Sequence, residues 1–279
     1  MEIDQILNSL EDQLSLKTKQ INSISGGDIN QAFKIQCEDG SKFFVKANIR
    51  GIKGMFEAEA KGLELLSAQF GEVITPRVLG FSDWFLALEY LNGDPFSDAS
   101  WAELGEKLAV LHLNFSNRFG LEFSNFIGSN PQPNRWSDNW GEFFYLDRLM
   151  FQVENLGSDS LKDLLESKRD KIIELLSEHH PKPSLVHGDL WSGNIHLCSG
   201  CTYLIDPAIY YADREVDLAM SELFGGFPSI FYQSYFELFP KCSGYEKRKN
   251  IYNLYHILNH ASLFGGAYQG QSIQMLNDI

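Results

Sequence analysis

The sequence predicts an α+β protein of two lobes, with a small antiparallel sheet in residues 1–91 and a mainly helical lobe in residues 92–279. Short apolar segments between turn residues dominate the first lobe and indicate strands. Apolar residues at helical spacing dominate the second lobe and indicate packed helices. The segment Asn92-Gly93-Asp94-Pro95 follows the last predicted strand and is typical of a linker, so we place the boundary between the lobes near residue 92.

The first predicted elements are a helix, a strand and a hairpin. Apolar residues recur at helical spacing over residues 3–16 and predict an amphipathic helix. A short strand at Ile21 to Ser25 then leads into a turn at Gly26 and Gly27. The segment from Ala32 to Ala47 predicts a hairpin, because a Glu-Asp-Gly turn interrupts it.

Lys46 lies at the end of this hairpin, just before a helix that carries two glutamates. An apolar stripe runs at helical spacing from Met55 to Phe70, and Glu59 falls on that stripe whereas Glu57 does not. A carboxylate on a buried face needs a cationic partner, because an unpaired buried charge is costly. We therefore predict an ion pair between Lys46 and Glu59, with Glu57 as the alternative.

The remaining elements complete both lobes. Strands are predicted at Val78 to Phe81 and at Trp84 to Leu91, where the first lobe ends. In the second lobe, a core helix is predicted at Ala102 to Leu113, one or two helices over residues 150–180, and a last long helix from Tyr245 to about Phe264.

Polar residues cluster between Leu185 and Ala208, bounded by apolar segments. His187, Asp189 and Asn194 form the pattern H-x-D-x-x-x-x-N, and Asp206 follows an apolar pair. Phosphoryl transfer needs a carboxylate that orients the acceptor hydroxyl and two oxygen ligands that hold Mg²⁺. Asp189 suits the first role, and Asn194 and Asp206 suit the second. His187 would bond the backbone of the loop. The alternative is a solvated turn, which explains single Asp or Asn residues but not the whole pattern.

Three segments of this region resemble a known family. HGDLWSGN at residues 187–194, IDPA at 205–208 and YYADREVDLAM at 210–220 are similar to the fructosamine kinase (ketosamine-3-kinase) family. This family is a branch of the aminoglycoside and choline kinase group, which has a protein-kinase-like fold. Trp191 is the distinguishing residue, since the wider group seldom has it. The similarity extends from SGGDIN near residue 25 to LNHASLFGGAY at residues 258–268.

The resemblance implies a site for ATP and Mg²⁺. The glycine pair would cover the phosphates, the predicted lysine–glutamate pair would hold them, and backbone groups at the end of the first lobe would meet adenine. The residues assigned to the nucleotide are Gly26, Gly27, Lys46, Glu59, Glu89, Tyr90 and Leu91. Structural support is expected from His187 and from Asp217, which in the kinase group accepts hydrogen bonds from the catalytic loop. Helix capping alone is the alternative for Asp217.

The acceptor side is expected to involve Trp191, Asn134 and His256. Asn134 lies in a long aromatic segment over residues 115–145 that carries a pattern characteristic of the family, although an aromatic-packed loop is the alternative. His256 lies in the last long helix, where polar groups among aromatic residues suit a sugar pocket. A helix that packs a satisfied histidine explains it equally well.

The resemblance implies transfer of the γ-phosphate of MgATP to a sugar hydroxyl of a ketosamine, the sugar adduct of an amine, in the repair of glycation. One alternative is a kinase of choline or an aminoglycoside, which would leave Trp191 unexplained. Another is a kinase-shaped binding module without turnover. The ketose, its hydroxyl, the amine and the oligomeric state stay open.

Composition agrees with a globular enzyme. The chain has 279 residues, of which 44% are hydrophobic and 13% aromatic. The formal net charge of -14 argues against binding to nucleic acid or anionic membranes, which requires clustered Lys and Arg. No apolar segment is long enough to suggest a membrane span or an export signal, so a cytoplasmic location is expected.

The cysteines are too few and too scattered for a disulfide framework. His196, Cys198 and Cys201 form H-x-C-x-x-C, which offers three zinc ligands. A turn at Ser199-Gly200 between two strands is the preferred interpretation, because no fourth ligand lies nearby in the sequence.

Overall fold

The computed structural model describes residues 2–24, 29–69 and 74–279. The turn predicted at Gly26 and Gly27 therefore lies outside the described residues. Among the helices that are described, none is long and apolar enough to cross a membrane.

The first lobe is built on a five-stranded antiparallel sheet with the order β1-β2-β3-β5-β4. Its strands are β1 (Thr18–Ile24), β2 (Gln31–Cys37), β3 (Lys42–Ala47), β4 (Val78–Phe81) and β5 (Phe85–Glu89). The first strand begins at Thr18, earlier than the predicted Ile21, because its register with β2 extends to a pair between Thr18 and Cys37. This edge strand is largely exposed and has no apolar alternation, so the sequence pattern did not mark its start.

Two helices cover opposite faces of this sheet. Helix α1 (Ile3–Leu14) packs Ile6 and Leu10 against one face, where Val45 of β3 points. Helix α2 (Met55–Ser67) packs against the other face, which carries Leu86 and Leu88 of β5. Neighbouring residues of a strand point to opposite faces, so the side chain of Lys46, which follows Val45, is directed toward α2.

The second lobe is mainly helical. Its α-helices are α3 (Asp98–Leu111), α4 (Trp140–Phe143), α5 (Phe151–Leu156), α6 (Asp159–Ser167), α7 (Arg169–Ser177), α8 (Glu215–Leu223), α9 (Ser229–Leu238), α10 (Tyr245–Phe264) and α11 (Ala267–Asp278). Helices α3 and α9 approach closely at Gly105, where an added Cβ would lie 2.3 Å from the carbonyl oxygen of Phe231. The segment between β5 and α3 contains the proposed lobe boundary at residue 92.

One prediction for this lobe was wrong in detail, and the loop considered as an alternative for residues 115–145 is only part of the structure there. Residues 150–180 form three helices instead of one or two, because Gly157 ends α5 in the left-handed region at φ 68° and Ser158 then caps α6. Residues 115–145 are not a simple loop. They contain α4 and the hairpin of β6 (Asn125–Ile127) and β7 (Asn130–Gln132), and a π-helical segment, Phe144–Met150, joins α4 to α5.

Two small two-stranded sheets position the predicted phosphotransfer motif. Strand β8 (Ser184–Val186) pairs with β11 (Tyr210–Ala212), and β9 (Ile195–Cys198) pairs with β10 (Cys201–Leu204). The motif therefore lies in the loops that connect these two sheets.

Candidate active site

The loop from His187 to Asn194 is held by a buried carboxylate of α8. Asp217 accepts hydrogen bonds from the backbone N–H groups of His187, at 2.7 Å, and Gly188, at 2.8 Å. Gly188 has φ 81°, and a Cβ there would lie 2.1 Å from the carbonyl oxygen of Ala208, so only glycine fits. The start of the loop is thereby fixed to the helical lobe.

His112 supports Asp217 from the other side. Its Nε2 lies 3.2 Å from Asp217 Oδ2, and its Nδ1 lies 2.7 Å from the hydroxyl of Tyr235. Burial alone would raise the pKa of Asp217, but the hydrogen bond and charge of His112 outweigh it and lower that pKa. The contact of His112 with α8 could not be inferred from the sequence, because it joins distant segments.

His187 fastens the loop to the segment that carries Asp206. Its Nε2 donates to the carbonyl oxygen of Ile205 at 2.9 Å, while its Nδ1 accepts from the backbone N–H of Asp189 at 3.3 Å. Burial lowers the pKa of His187, which favours the neutral ring that these two bonds require. The side chain thus contacts backbone groups on both sides of the site.

Asp189 lies at the centre of the loop, with 22% of its side chain exposed. Burial and then the charge of Asp206 raise the pKa of Asp189 to about 7. The side-chain amide of Asn194 donates to the backbone oxygen of Asp189 at 2.8 Å and to its Oδ2 at 3.1 Å. These bonds leave Oδ1 facing Nδ1 of His256 at 3.8 Å.

Lys46 is paired with two carboxylates, one from each lobe. Its ammonium lies 2.6 Å from Oε1 of Glu59 and also contacts Oδ1 of Asp206. Burial alone would lower the pKa of Lys46, but the charges of Asp206 and Glu59 outweigh it and raise that pKa. Glu57 instead pairs with the exposed Lys61 at 2.8 Å. The ion pair predicted from the helical stripe is therefore present.

The oxygen atoms of Asn194 and Asp206 fit a Mg²⁺ site. The amide nitrogen of Asn194 is turned toward Asp189, which leaves its oxygen for a cation. Asp206 has 40% of its side chain exposed, and its backbone is held in the left-handed region at φ 54°. Such strained backbone persists where the surrounding structure imposes it and is common in functional sites. Carboxylate and amide oxygens are the ligand types that Mg²⁺ accepts.

The three residues assigned to adenine follow the central sheet directly. Glu89 ends β5, and its backbone N–H donates to the oxygen of Arg77 at 3.0 Å. The ring of Tyr90 lies 4.3 Å from the ammonium of Lys34, and Leu91 is the next residue along. Glu89 is thus the last residue of the strand, and Tyr90 and Leu91 follow it toward the helical lobe.

Trp191 stands at the exposed edge of the loop. Its side chain is 37% exposed, and a Cβ on Gly193 would lie 2.4 Å from its ring. The ring packs edge-on against Phe224, with 6.2 Å between the centroids. The indole is therefore fixed in orientation while a large part of it faces outward.

Asn134 is buried, and both ends of its amide are used internally. Its Nδ2 donates to the oxygen of Phe123 at 3.0 Å and to Oδ1 of Asn125 at 2.8 Å, and its Oδ1 accepts from Arg148 at 2.6 Å. Arg148 is itself fully buried in the π-helical segment, with its guanidinium 3.9 Å from the ring centre of Tyr210. Arg148 carried no local sequence signal for this role, because its partners Asn134, Tyr210 and Tyr255 come from separate segments.

The predicted turn at residues 199–200 is present, and the zinc alternative has no support from the arrangement. Cys198 and Cys201 are direct cross-strand partners, and both are free thiols. Within the described ranges, the one group of three closely spaced metal-ligand side chains is His179, Asp213 and Glu215. Its carboxylates are already bound, Glu215 to Arg248 and Asp213 to Tyr252.

Comparison with known proteins gives a match over the whole chain. The sequence model of the fructosamine kinase family matches residues 1–279. The chain belongs to the fructosamine kinase family. A probable ketoamine kinase from Synechocystis is 45% identical over 269 residues, which cover 93% of this chain and 90% of the relative. A protein-ribulosamine 3-kinase from Arabidopsis thaliana is 39% identical, with 93% of this chain and 82% of the relative covered.

Solved structures give the same family and the wider fold. A crystal structure of a protein named as a fructosamine-3-kinase, from Haemophilus somnus, superposes with a TM-score of 0.88 at 33% identity and covers 98% of this chain and 96% of that one. An ADP-bound aminoglycoside phosphotransferase superposes with a TM-score of 0.65 at 17% identity and covers 98% and 96%, a likeness of fold alone. The predicted family and kinase-like fold are confirmed, and this member of the family is an ATP-dependent phosphotransferase.

Proposed function

We propose that this fructosamine kinase family member transfers the γ-phosphoryl group of ATP, with Mg²⁺, to a sugar hydroxyl of a ketosamine, as a step in the repair of glycated amines. The observation that carries the proposal is Asp189, a largely buried carboxylate with an exposed indole two residues away. The names of the relatives, ketoamine kinase and protein-ribulosamine 3-kinase, support the same acceptor class.

In this proposal Asp189 orients the acceptor hydroxyl and receives its proton. Its raised pKa, about 7, makes it a stronger base than an ordinary aspartate while leaving a large fraction ionised near neutrality. The bonds from Asn194 keep Oδ2 occupied, so Oδ1 is the atom directed to the acceptor. Asp217 and His187 hold the loop, which limits the reorganisation needed before reaction.

The charged residues around Lys46 form the nucleotide side of the site. Asn194 and Asp206 would hold Mg²⁺, and Lys46, positioned by Glu59, would hold the phosphates. Bound Mg²⁺ neutralises the negative charge of the phosphate oxygens. Glu89, Tyr90 and Leu91 would offer backbone groups to adenine.

Trp191 would form one wall of the acceptor pocket. An indole face packs well against the C–H face of a sugar chain and leaves the hydroxyls free. Asn134 has a different role from the one expected, since both ends of its amide are bonded internally. We propose that it supports the pocket from behind instead of contacting the acceptor. The net charge of -14 also suits an acceptor with a basic amine.

The function is tested by a screen of acceptors. The purified protein with MgATP is expected to release ADP in the presence of ribulosamines or fructosamines, measured by a coupled assay. Choline and aminoglycosides are the comparison acceptors, and the Asp189→Asn variant gives the background. Turnover of choline or an aminoglycoside with no turnover of any ketosamine would refute the proposed acceptor and favour the wider kinase group.

Trp191→Ala is expected to lower kcat/KM for the ketosamine about five- to tenfold, the effect of losing one well-packed aromatic contact. The Kd of ATP should stay the same, because the indole lies on the acceptor side. Trp136→Ala is a matched control. Trp136 is 39% exposed, close to the 37% of Trp191, but its ring stacks on Tyr211. Equal losses in the two variants would argue against an acceptor wall at Trp191.

A further inference from the structure

We infer that His256 and Asp189 together bind the hydroxyl that is phosphorylated, with the acceptor oxygen lying between Nδ1 of His256 and Oδ1 of Asp189. The inference rests on the proposed function and adds a second polar contact, and a required tautomer, to the acceptor side of the site.

The distance between these two atoms is the first reason. At 3.8 Å, Nδ1 of His256 and Oδ1 of Asp189 are too far apart for a direct hydrogen bond, whose length is about 2.7–3.2 Å. A hydroxyl oxygen about 2.8 Å from each of them would lie beside the line that joins the two atoms, with the two bonds roughly at a right angle. The two atoms therefore define a position for one oxygen.

The second reason is that Nδ1 of His256 is buried and has no hydrogen-bond partner among the described residues. The whole residue is only 4% exposed. Buried polar atoms are nearly always paired, and an exception calls for an explanation such as a ligand. An acceptor hydroxyl would supply the partner that the protein itself does not.

The chemistry of the two groups then fixes the direction of both bonds. A carboxylate only accepts, so the hydroxyl must donate its hydrogen to Asp189. The hydroxyl oxygen is then an acceptor toward His256, which requires a neutral ring with its hydrogen on Nδ1. Burial, and next the neighbouring His260, lower the pKa of His256 to about 3, so the ring is neutral at ordinary pH.

The arrangement leaves one lone pair of the acceptor oxygen free for reaction. This oxygen forms a bond to the γ-phosphorus of ATP while the bond from that phosphorus to the bridging oxygen breaks and ADP leaves. The hydroxyl proton passes to Asp189. His256 exchanges no proton and keeps the oxygen oriented throughout.

The position of His256 is itself well fixed. It lies in the buried middle of α10, its ring is edge-on to Tyr255 with 5.1 Å between centroids, and its backbone oxygen is 2.7 Å from Nδ1 of His260. The hydroxyl of Tyr255 in turn donates to Gln132 at 2.6 Å. A fixed donor gives orientation, which is the property needed to select one hydroxyl of a sugar.

The test compares three substitutions at one position. The side-chain amide nitrogen of His256→Asn lies near the place of Nδ1, whereas that of His256→Gln lies near the place of Nε2. We expect His256→Asn to keep kcat/KM for the acceptor within about threefold, and His256→Gln and His256→Ala to lower it about 5- to 100-fold, as for loss of a buried hydrogen bond. The Kd of ATP should be unchanged in all three. The melting temperature is the control for folding, and it should fall in His256→Ala, because removal of a buried ring leaves a cavity in the core.

A second measurement needs no variant. An acceptor analogue that lacks the phosphorylated hydroxyl should bind the wild-type protein more weakly than the parent compound. We expect its Kd to be about fivefold or more above that of the parent compound. His256→Ala should reduce this difference, because only the contact with Asp189 is then left, whereas His256→Asn should keep it.

Several results would overturn the inference. One is a His256→Ala protein as active as the wild type; others are a His256→Gln protein more active than His256→Asn, or a deoxy analogue that binds the wild type as tightly as its parent. If no ketosamine is a substrate, the proposed function fails by itself, and the same comparison is made with the alcohol that is phosphorylated.

Discussion

Replacing Asp189 by Asn is expected to lower kcat by roughly 10²–10⁴, the range for loss of a positioned general base. The substitution keeps the shape of the side chain but removes the charge that accepts the hydroxyl proton. The Kd of ATP should stay close to that of the wild type, because the phosphates are assigned to Lys46 and the metal ligands. Steady-state kinetics with a saturating acceptor, together with a direct ATP titration, measures both quantities.

A melting curve is the control for this variant. In the described part of the structure, the side chain of Asp189 has one hydrogen bond, which comes from Asn194. The Asn variant should therefore fold normally. An Asp189→Asn protein that retains more than a tenth of wild-type kcat would exclude this residue as the base.

Lys46→Met is expected to lower kcat/KM for ATP by about 10²–10³, similar to the loss of one preorganised group that stabilises charge in a transition state. Methionine keeps most of the length of the side chain but not its ammonium. The loss should appear with every acceptor, because it concerns the nucleotide. Initial rates at varied ATP measure it.

Helix α2, which carries Glu59, offers a matched control for Lys46. Lys61→Met removes a lysine that pairs with Glu57 on the surface, and it should leave kcat/KM nearly unchanged.

Lys46→Met also leaves Glu59 buried without its cation, which is destabilising by about 3–5 kcal/mol. The double variant Lys46→Met/Glu59→Gln should recover much of that stability but none of the activity. Recovery of activity would show that Lys46 acts only through folding.

Periodicity and local motifs predicted the parts of the site that depend on short segments. The choice of Glu59 over Glu57 followed from one helical stripe, because burial of a charge requires a partner. The spacing of Asp189, Asn194 and Asp206 likewise depends on one loop and one hairpin. In each case the direction of the side chain is set by the periodicity of about one helical turn or one strand around the residue.

The contacts that escaped prediction join distant segments. Arg148 binds the 131–136 region from a π-helical segment, and no periodicity marks a π-helix in the sequence. The second partner of Lys46, Asp206, comes from the other lobe. The internal use of the Asn134 amide depends on Asn125 and Arg148 together, so its position in a family pattern gave no information about its partners.

The groups that would choose the acceptor all belong to the helical lobe. Asp189, Trp191 and His256 lie on one loop and on α10, and Asp217 fixes that loop to α8. The sheet lobe contributes the ion pair of Lys46 and Glu59. Of the groups that would choose the acceptor, His256 belongs to a helix that carries no group proposed for the nucleotide. We expect substitutions along one face of α10 to change which amine adducts are accepted without a change in the Kd of ATP.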